Sequence, residues 1–193
     1  MHELAQAEDV LAFWFADAHV PQWFAGNPGF DEQIRQQFAA TVDAAISGQL
    51  DEWAQTPGGW LALLIVLDQF PRNLYRRDAR ACASDDKALA IALTGLDRGD
   101  DQGLPALQRA FAYMPLEHAE DLSLQKRCVD LFTLLCAAVV PEQRALPETF
   151  LDYARRHQRV IQRFGRFPHR NALLGRTSTR AEQDYLATPG AGF

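Results

Sequence analysis

The stretch from Trp60 to Arg76, WLALLIVLDQFPRNLYR, constrains the fold more than any other part of the chain. From Trp60 to Leu67 it has no polar face, and it then turns polar within a few positions at Asp68-Gln69-Phe70-Pro71-Arg72-Asn73. A helix that is hydrophobic all round belongs in the middle of a domain, surrounded by other elements. The polar residues after it must then lie at the edge of that core, where each needs a partner. Pro71 is expected to stop the helix, because proline has no N–H and its ring clashes with the carbonyl four residues back.

The rest of the chain supplies helices to surround it. Glu8 to Ala18 reads as a short, largely buried helix, and Trp23-Phe24 as an aromatic turn. Asn27-Pro28 places a cap and a first-turn proline before a helix whose apolar face is Phe30, Ile34, Phe38, Val42, Ala45 and Ile46, with Gly48 as its stop. Ser84 is positioned to cap a helix that ends at Gly99, and Leu104 to Met114 reads as another, broken by Pro115. Asp121 or Ser123 starts a long helix toward Pro141. Pro147 opens the next, which carries Phe150, Ala154, His157, Ile161 and Phe164 in a stripe and ends at Gly165. A polar loop follows to Gly175, then a capping box, Thr179-x-x-Glu182, before a terminal helix.

These segments give an all-α expectation: seven to nine helices stacked as antiparallel hairpins, in an irregular bundle or a short solenoid. With 193 residues, 48% of them hydrophobic, one domain over residues 1–187 is expected, with a loose tail over 188–193. No apolar run reaches the roughly 18 residues that span a bilayer. The N-terminus carries acids rather than a basic cluster, which does not fit a signal peptide. Cys82, Cys128 and Cys136 form no C-x-x-C pair, so a cytoplasmic, reduced chain is expected.

Net charge is −6, but it is unevenly spread. Residues 155–180 hold eight arginines and no acid, which leaves −14 on the rest of the chain. An acidic body disfavours nucleic acid and anionic membrane as partners. The cationic strip raises the question of what neutralises it.

Four polar groups are candidates for a site. Asp68, Arg72 and Asn73 sit at the end of the apolar helix, where an aspartate opposes the helix dipole and calls for a cationic partner. A similar phrase recurs at Phe167-Pro168-His169-Arg170-Asn171, flanked by Arg163, Arg166 and Arg176. Arginine forks on proline-fixed turns suit a bidentate carboxylate or phosphate, so Asp68, Arg72, Asn73, Arg163, Arg166, His169, Arg170, Asn171 and Arg176 are candidate ligand-binding residues. The alternative is that these arginines find anions inside the protein, at Asp68, Glu117, Glu120 or Asp121. His118 and Glu120, in Met114-Pro115-Leu116-Glu117-His118-Ala119-Glu120-Asp121, can act as an acid–base pair, or simply as a solvated helix start. His157 lies on an apolar stripe and reads as a hydrogen-bonded core histidine or a third catalytic candidate. Arg156 and Arg163, seven residues apart, share a helix face and are candidates to line one groove with Arg170. No standard metal spacing, Walker loop, dinucleotide-binding glycine motif, G-x-S-x-G or H-E-x-x-H is present, so neither a metal nor a cofactor is expected.

Taken together, Phe13-Trp14-Phe15, Trp23-Phe24, Leu67-Asp68-Gln69-Phe70-Pro71-Arg72-Asn73, the Tyr113–Asp121 phrase and Arg163 to Asn171 resemble the domain-of-unknown-function family 924 of bacteria and fungi. The resemblance covers residues 8–187 and implies a tetratricopeptide-like helical fold without an assigned activity. Ala119 stands where the family's phrase carries serine, which removes a hydroxyl nucleophile there. The functional expectation is a small anionic ligand, carboxylate or phosphate, in an arginine-lined pocket. The alternative is a helical adaptor that binds an acidic peptide or partner protein, and RNA on the arginine strip ranks last.

Overall fold

The computed structural model describes residues 4–192, and among them the secondary structure is helical, with no strand. No helix among these residues is long and apolar enough to cross a membrane. The chain groups into two compact units, one running to Pro115 and one from Leu116.

The first unit is built on the apolar run. Helix α1 spans Ala7–Trp14 and α2 Pro28–Ile46. Helix α3 (Pro57–Leu64) passes through a π-helical turn (Ile65–Gln69) into α4 (Phe70–Leu74). Helix α5 spans Asp85–Arg98, and α6 (Ala106–Glu117) contains the boundary between the units. Every residue from Trp60 to Leu67 is at most 1% exposed. α1 and α5 pack on α3, and α2 packs on the π turn and α4. α2 begins as its sequence dictates: the Asn27 side chain accepts from Gly29 N, and Pro28 occupies the first turn. Phe30, Ile34, Phe38, Val42 and Ala45 are buried, whereas Ile46 at the end of the stripe is exposed.

α5 can approach α3 because position 95 is glycine. A Cβ there would lie 2.2 Å from the Trp60 ring. The Trp60 Nε1–H donates to Ile91 O at 2.8 Å, which satisfies the indole where it is buried. A second aromatic group, Phe13, Trp14, Trp23, Phe30 and Phe70, joins α1, α2 and α4 by stacked and edge contacts.

Pro71 does not stop the central helix. The preceding turn widens instead, so that Phe70 N bonds Ile65 O five residues back, and Pro71 falls in the first turn of α4. A proline is tolerated there, since first-turn N–H groups lack helical partners anyway. Pro115 likewise lies inside α6 rather than ending it, with Leu116 and Glu117 still helical. In both cases the helix closes within a few residues of the proline.

In the second unit α7 (Leu122–Ala138) and α8 (Ala145–Phe164) pack as a hairpin. Cys128, Phe132 and Leu135 face Phe150, Leu151, Ala154 and His157, all buried. The Asp121 carboxylate caps α7 by accepting from Ser123 N and Leu124 N. α8 starts at Ala145, two residues before Pro147, and ends at Gly165, whose φ of 69° is the left-handed value glycine accepts without strain. A short 3₁₀ turn, Pro168–Arg170, interrupts the expected loop. α9 (Arg180–Leu186) carries the predicted capping box between Thr179 and Glu182. Val160, Ile161 and Phe167 form a small core, with Leu122, Phe164 and Tyr185 packed against it.

Candidate functional site

At the end of the apolar run, the arginine and asparagine are tied to carboxylates of the first unit. Arg72 donates through Nη1 and Nη2 to the two oxygens of Asp85, both at 3.0 Å, and lies 3.2 Å from Asp68 Oδ1. Its Nη1 also reaches the Asp68 carbonyl at 2.5 Å. Burial opposes the charge on Arg72, but Asp68 and Asp85 more than offset it and hold the guanidinium protonated above its ordinary value. Gln69 Nε2 donates to Asp68 Oδ2. Asn73 donates to Asp31 Oδ1 at 2.8 Å, and Arg76 grips the same carboxylate with two bonds. These contacts join α4 to α2 and α5. They do the work of a helix-end lock, with Asp31 and Asp85 as partners that the sequence alone did not indicate.

The second unit gathers the other candidates. Gln125, buried on α7, donates its Nε2 to Glu117 O at 2.6 Å and Ala119 O at 2.9 Å, while Arg170 Nη1 donates to His118 O at 3.1 Å. Successive carbonyls at the C-terminal end of α6 are thereby satisfied by an amide and a cation, which also suits the negative pole of the helix. The Arg170 guanidinium lies 4.6 Å from the Phe167 ring centroid. Phe167 is also flanked by His157 at 5.5 Å and His169 at 5.6 Å.

His157 Nδ1 is 2.9 Å from Tyr153 O and 3.0 Å from Glu117 Oε1, and its ring lies 6.3 Å from that of His118. Burial first, then the neighbouring His118, Arg170 and His169, pushes its pKa down to about 3. Its imidazole is therefore neutral near pH 7, held by a carbonyl and a carboxylate. Burial and Arg170 also push His169 down, to about 4.

Glu120 serves as an anchor. Its carboxylate accepts from Phe167 N at 2.7 Å and takes two bonds from Arg176, at 2.6 and 2.9 Å. Although burial raises its pKa, Arg176 and the Phe167 N–H bring it below the usual carboxylate value. Arg176 continues to Asn171 Oδ1 and Phe167 O, and Asn171 to Ser178. Arg166 forms a second bidentate pair with Glu182, at 2.7 and 2.9 Å, which joins the turn after α8 to α9. The pair holds Glu182 down at about 2.

Of the rest of the cationic strip, Arg180 opens α9 and pairs with Asp184 at 3.0 Å, and the others lie on α8. Arg156, Arg159 and Arg163, with Val160, Phe164, Tyr185 and Gly190, line an open groove of about 220 Å³. Arg156 shares a half-exposed Asp152 at 2.7 Å and lies 5.2 Å from the Tyr153 ring. Arg163 stacks 4.7 Å over Phe164. Arg159 and Arg163 have no carboxylate partner among the described residues. Arg156 and Arg163 thus meet on one groove as their spacing implied, but Arg166, Arg170 and Arg176 do not line it. The contribution of Arg159, Phe164 and Tyr185 was missed in the sequence. Arginines at 156, 159 and 163, three and four apart, were the available signal. Among the described residues no group of three or more His, Cys, Asp or Glu could hold a metal ion.

Comparison with known proteins places this geometry in a family. Residues 10–190 match the profile of a family described as a bacterial protein of unknown function, DUF924. The chain belongs to the DUF924 family. A solved structure from Agrobacterium tumefaciens, titled as a protein of unknown function, is 36% identical and superimposes with a TM-score of 0.84. That alignment covers 94% of this chain and 96% of that one. No curated protein matches the chain. The DUF924 assignment therefore rests on sequence and fold together.

Proposed function

We propose that the protein binds a small anionic ligand, bearing carboxylate or phosphate groups, in the arginine-lined groove of α8. The observation that carries the reading is the contrast between two sets of arginines. Arg72, Arg166 and Arg176 are each bound to a carboxylate of their own unit. Arg159 and Arg163 face an open groove without one among the described residues. A guanidinium offers a planar fork of donors that matches a carboxylate or phosphate, and one lying on an aromatic face is already oriented. The floor formed by Val160, Phe164 and Tyr185 gives an apolar surface for the body of the ligand. Among the described residues Cys82, Cys128 and Cys136 form no disulfide, which suits the reducing cytoplasm in which such a ligand would be met.

Calorimetric titration with inorganic phosphate, mono- and dicarboxylates and aromatic acids tests the reading. One saturable site, weakened at least tenfold in the Arg159→Ala/Arg163→Ala double variant, is expected. Silence across the panel, or equal binding by the double variant, would overturn it. An acidic side chain of a partner protein is the second reading, favoured by the openness of the groove to solvent. A glutamate-rich peptide that binds where the small anions do not would select it.

A further inference from the structure

Resting on that reading, we infer that the groove selects dianions: molecules with two carboxylate or phosphate groups at the ends of one short apolar or aromatic body. Arg156 and Arg163 stand seven residues apart on α8, so their backbones are separated by two turns, about 10.5 Å, on one side of the helix. Arg159 lies between them, and all three line the groove. Both outer guanidiniums rest on rings, Arg156 on Tyr153 and Arg163 on Phe164. Such stacking fixes the plane of a guanidinium while leaving its N–H edge for an anion.

Between the cations the surface is apolar, with Val160 and Phe164 on α8 and Tyr185 on α9. At about 220 Å³ the space is smaller than the roughly 300 Å³ at which pockets for drug-sized ligands begin, which limits the body to one ring or a short chain. A single exposed ion pair contributes little. Two anions on one body make the second contact intramolecular, and the gain is greatest when the spacing matches. The Asp152 carboxylate on Arg156 shows that this end of the groove accepts a carboxylate, and it competes with any incoming one.

Calorimetry on the full chain separates the possibilities. The probes are benzoate, terephthalate and the straight-chain dicarboxylates from succinate to suberate. The matched dianion should bind at least tenfold more tightly than the monoanion of the same body. Arg156→Gln and Arg163→Gln should each abolish that preference, and Asp152→Asn should raise dianion affinity about threefold. These substitutions lie on the exposed face of α8, and circular dichroism checks that the fold is kept. Equal affinity for mono- and dianions would overturn the dianion inference while leaving anion binding intact. Absence of binding by every probe would remove the underlying reading as well. A flat dependence on chain length, from succinate to suberate, would also count against two fixed cationic ends.

Discussion

The hydroxyl of Ser84 donates to the carbonyl of Leu67 at 2.6 Å in the buried interior of the first unit. Leu67 lies four residues before Pro71, which has no N–H to offer it. Ser84 stands at the start of α5, where a serine ordinarily turns its oxygen to the helix's own N–H groups, yet here it makes no such cap. It serves the central helix instead. Ser84→Ala should therefore cost about 1–3 kcal/mol, the penalty for a buried carbonyl deprived of a donor. Urea unfolding followed by circular dichroism would measure it. A loss below about 0.5 kcal/mol would mean that the π turn satisfies Leu67 without help.

Gly95 and Gly103 make a paired test of packing. A Cβ at position 95 would meet the Trp60 ring at 2.2 to 2.7 Å, and the ring is held by its bond to Ile91 O. Gly95→Ala should therefore destabilise by at least the roughly 1–3 kcal/mol typical of overpacking, with a changed tryptophan emission spectrum. At position 103 the added methyl would meet nothing within 4 Å. Gly103→Ala should stay within about 0.5 kcal/mol of the parent, as surface changes do.

Arg77 is the described non-glycine residue with a positive φ, 65°. Its side chain is exposed, so the left-handed backbone is not repaid by burial. Arg77→Gly removes the steric cost of Cβ but adds freedom to the unfolded chain. The net expectation is a gain of about 0.5–1 kcal/mol. Thermal unfolding would detect it as a rise in midpoint.

Local signals in the sequence suffice where a few neighbouring residues decide the outcome. The Asn27-Pro28 start of α2, the Asp121 cap of α7, the Gly165 stop and the Thr179–Glu182 box are examples. The prolines at 71 and 115 do not act as stops, because a helix can absorb one by widening a turn or closing soon after it. That choice depends on the surrounding packing. The fate of the arginine strip was legible only in part. Glu120 is one of the anions the sequence offers the strip, but its partner Arg176 is 56 residues away. Glu182 reads as a cap, and nothing near it in sequence signals that Arg166 takes its carboxylate. Pairs of this kind are set by the approach of helices, which no local pattern encodes.

Acid should weaken the fold in two stages. His157 and His169 are pushed down to about 3 and about 4, first by burial, whereas an unfolded chain protonates its histidines near pH 6.5. Between those values the unfolded state holds more protons, so stability falls as pH falls from about 6.5. His157 alone should contribute a slope of about 1.4 kcal/mol per pH unit in that range. Below about pH 4.5 a second loss begins, as Glu120 and Asp31, whose pKa values Arg176 and Arg76 lower against the effect of burial, take up protons. Urea midpoints from pH 7.5 to about 3 should show both stages. In His157→Gln the first should be shallower, and an unaltered slope would show that His157 is not held neutral in the fold.

The pair between Arg166 and Glu182 bears on the groove without lining it. Arg166 follows the Gly165 stop of α8, and Glu182 lies buried in the first turn of α9, where it also accepts from Thr179 N. The groove takes Arg156, Arg159 and Arg163 from α8, but Tyr185 from α9 and Gly190 from the residues after it. α9 spans only Arg180–Leu186, a length at which a helix has little stability of its own in water. Its position therefore depends on the cap and on Arg166. Glu182→Ala removes the Arg166 pair and the carboxylate half of the capping box, and should accelerate amide exchange across residues 180–186, with anion affinity at the groove falling severalfold in parallel. Glu182→Gln keeps the hydrogen-bonding shape without the charge, and should restore slow exchange and affinity only in part. If exchange rises in Glu182→Ala while affinity is unchanged, the ligand is held by the α8 arginines alone, and α9 is not a wall of the site.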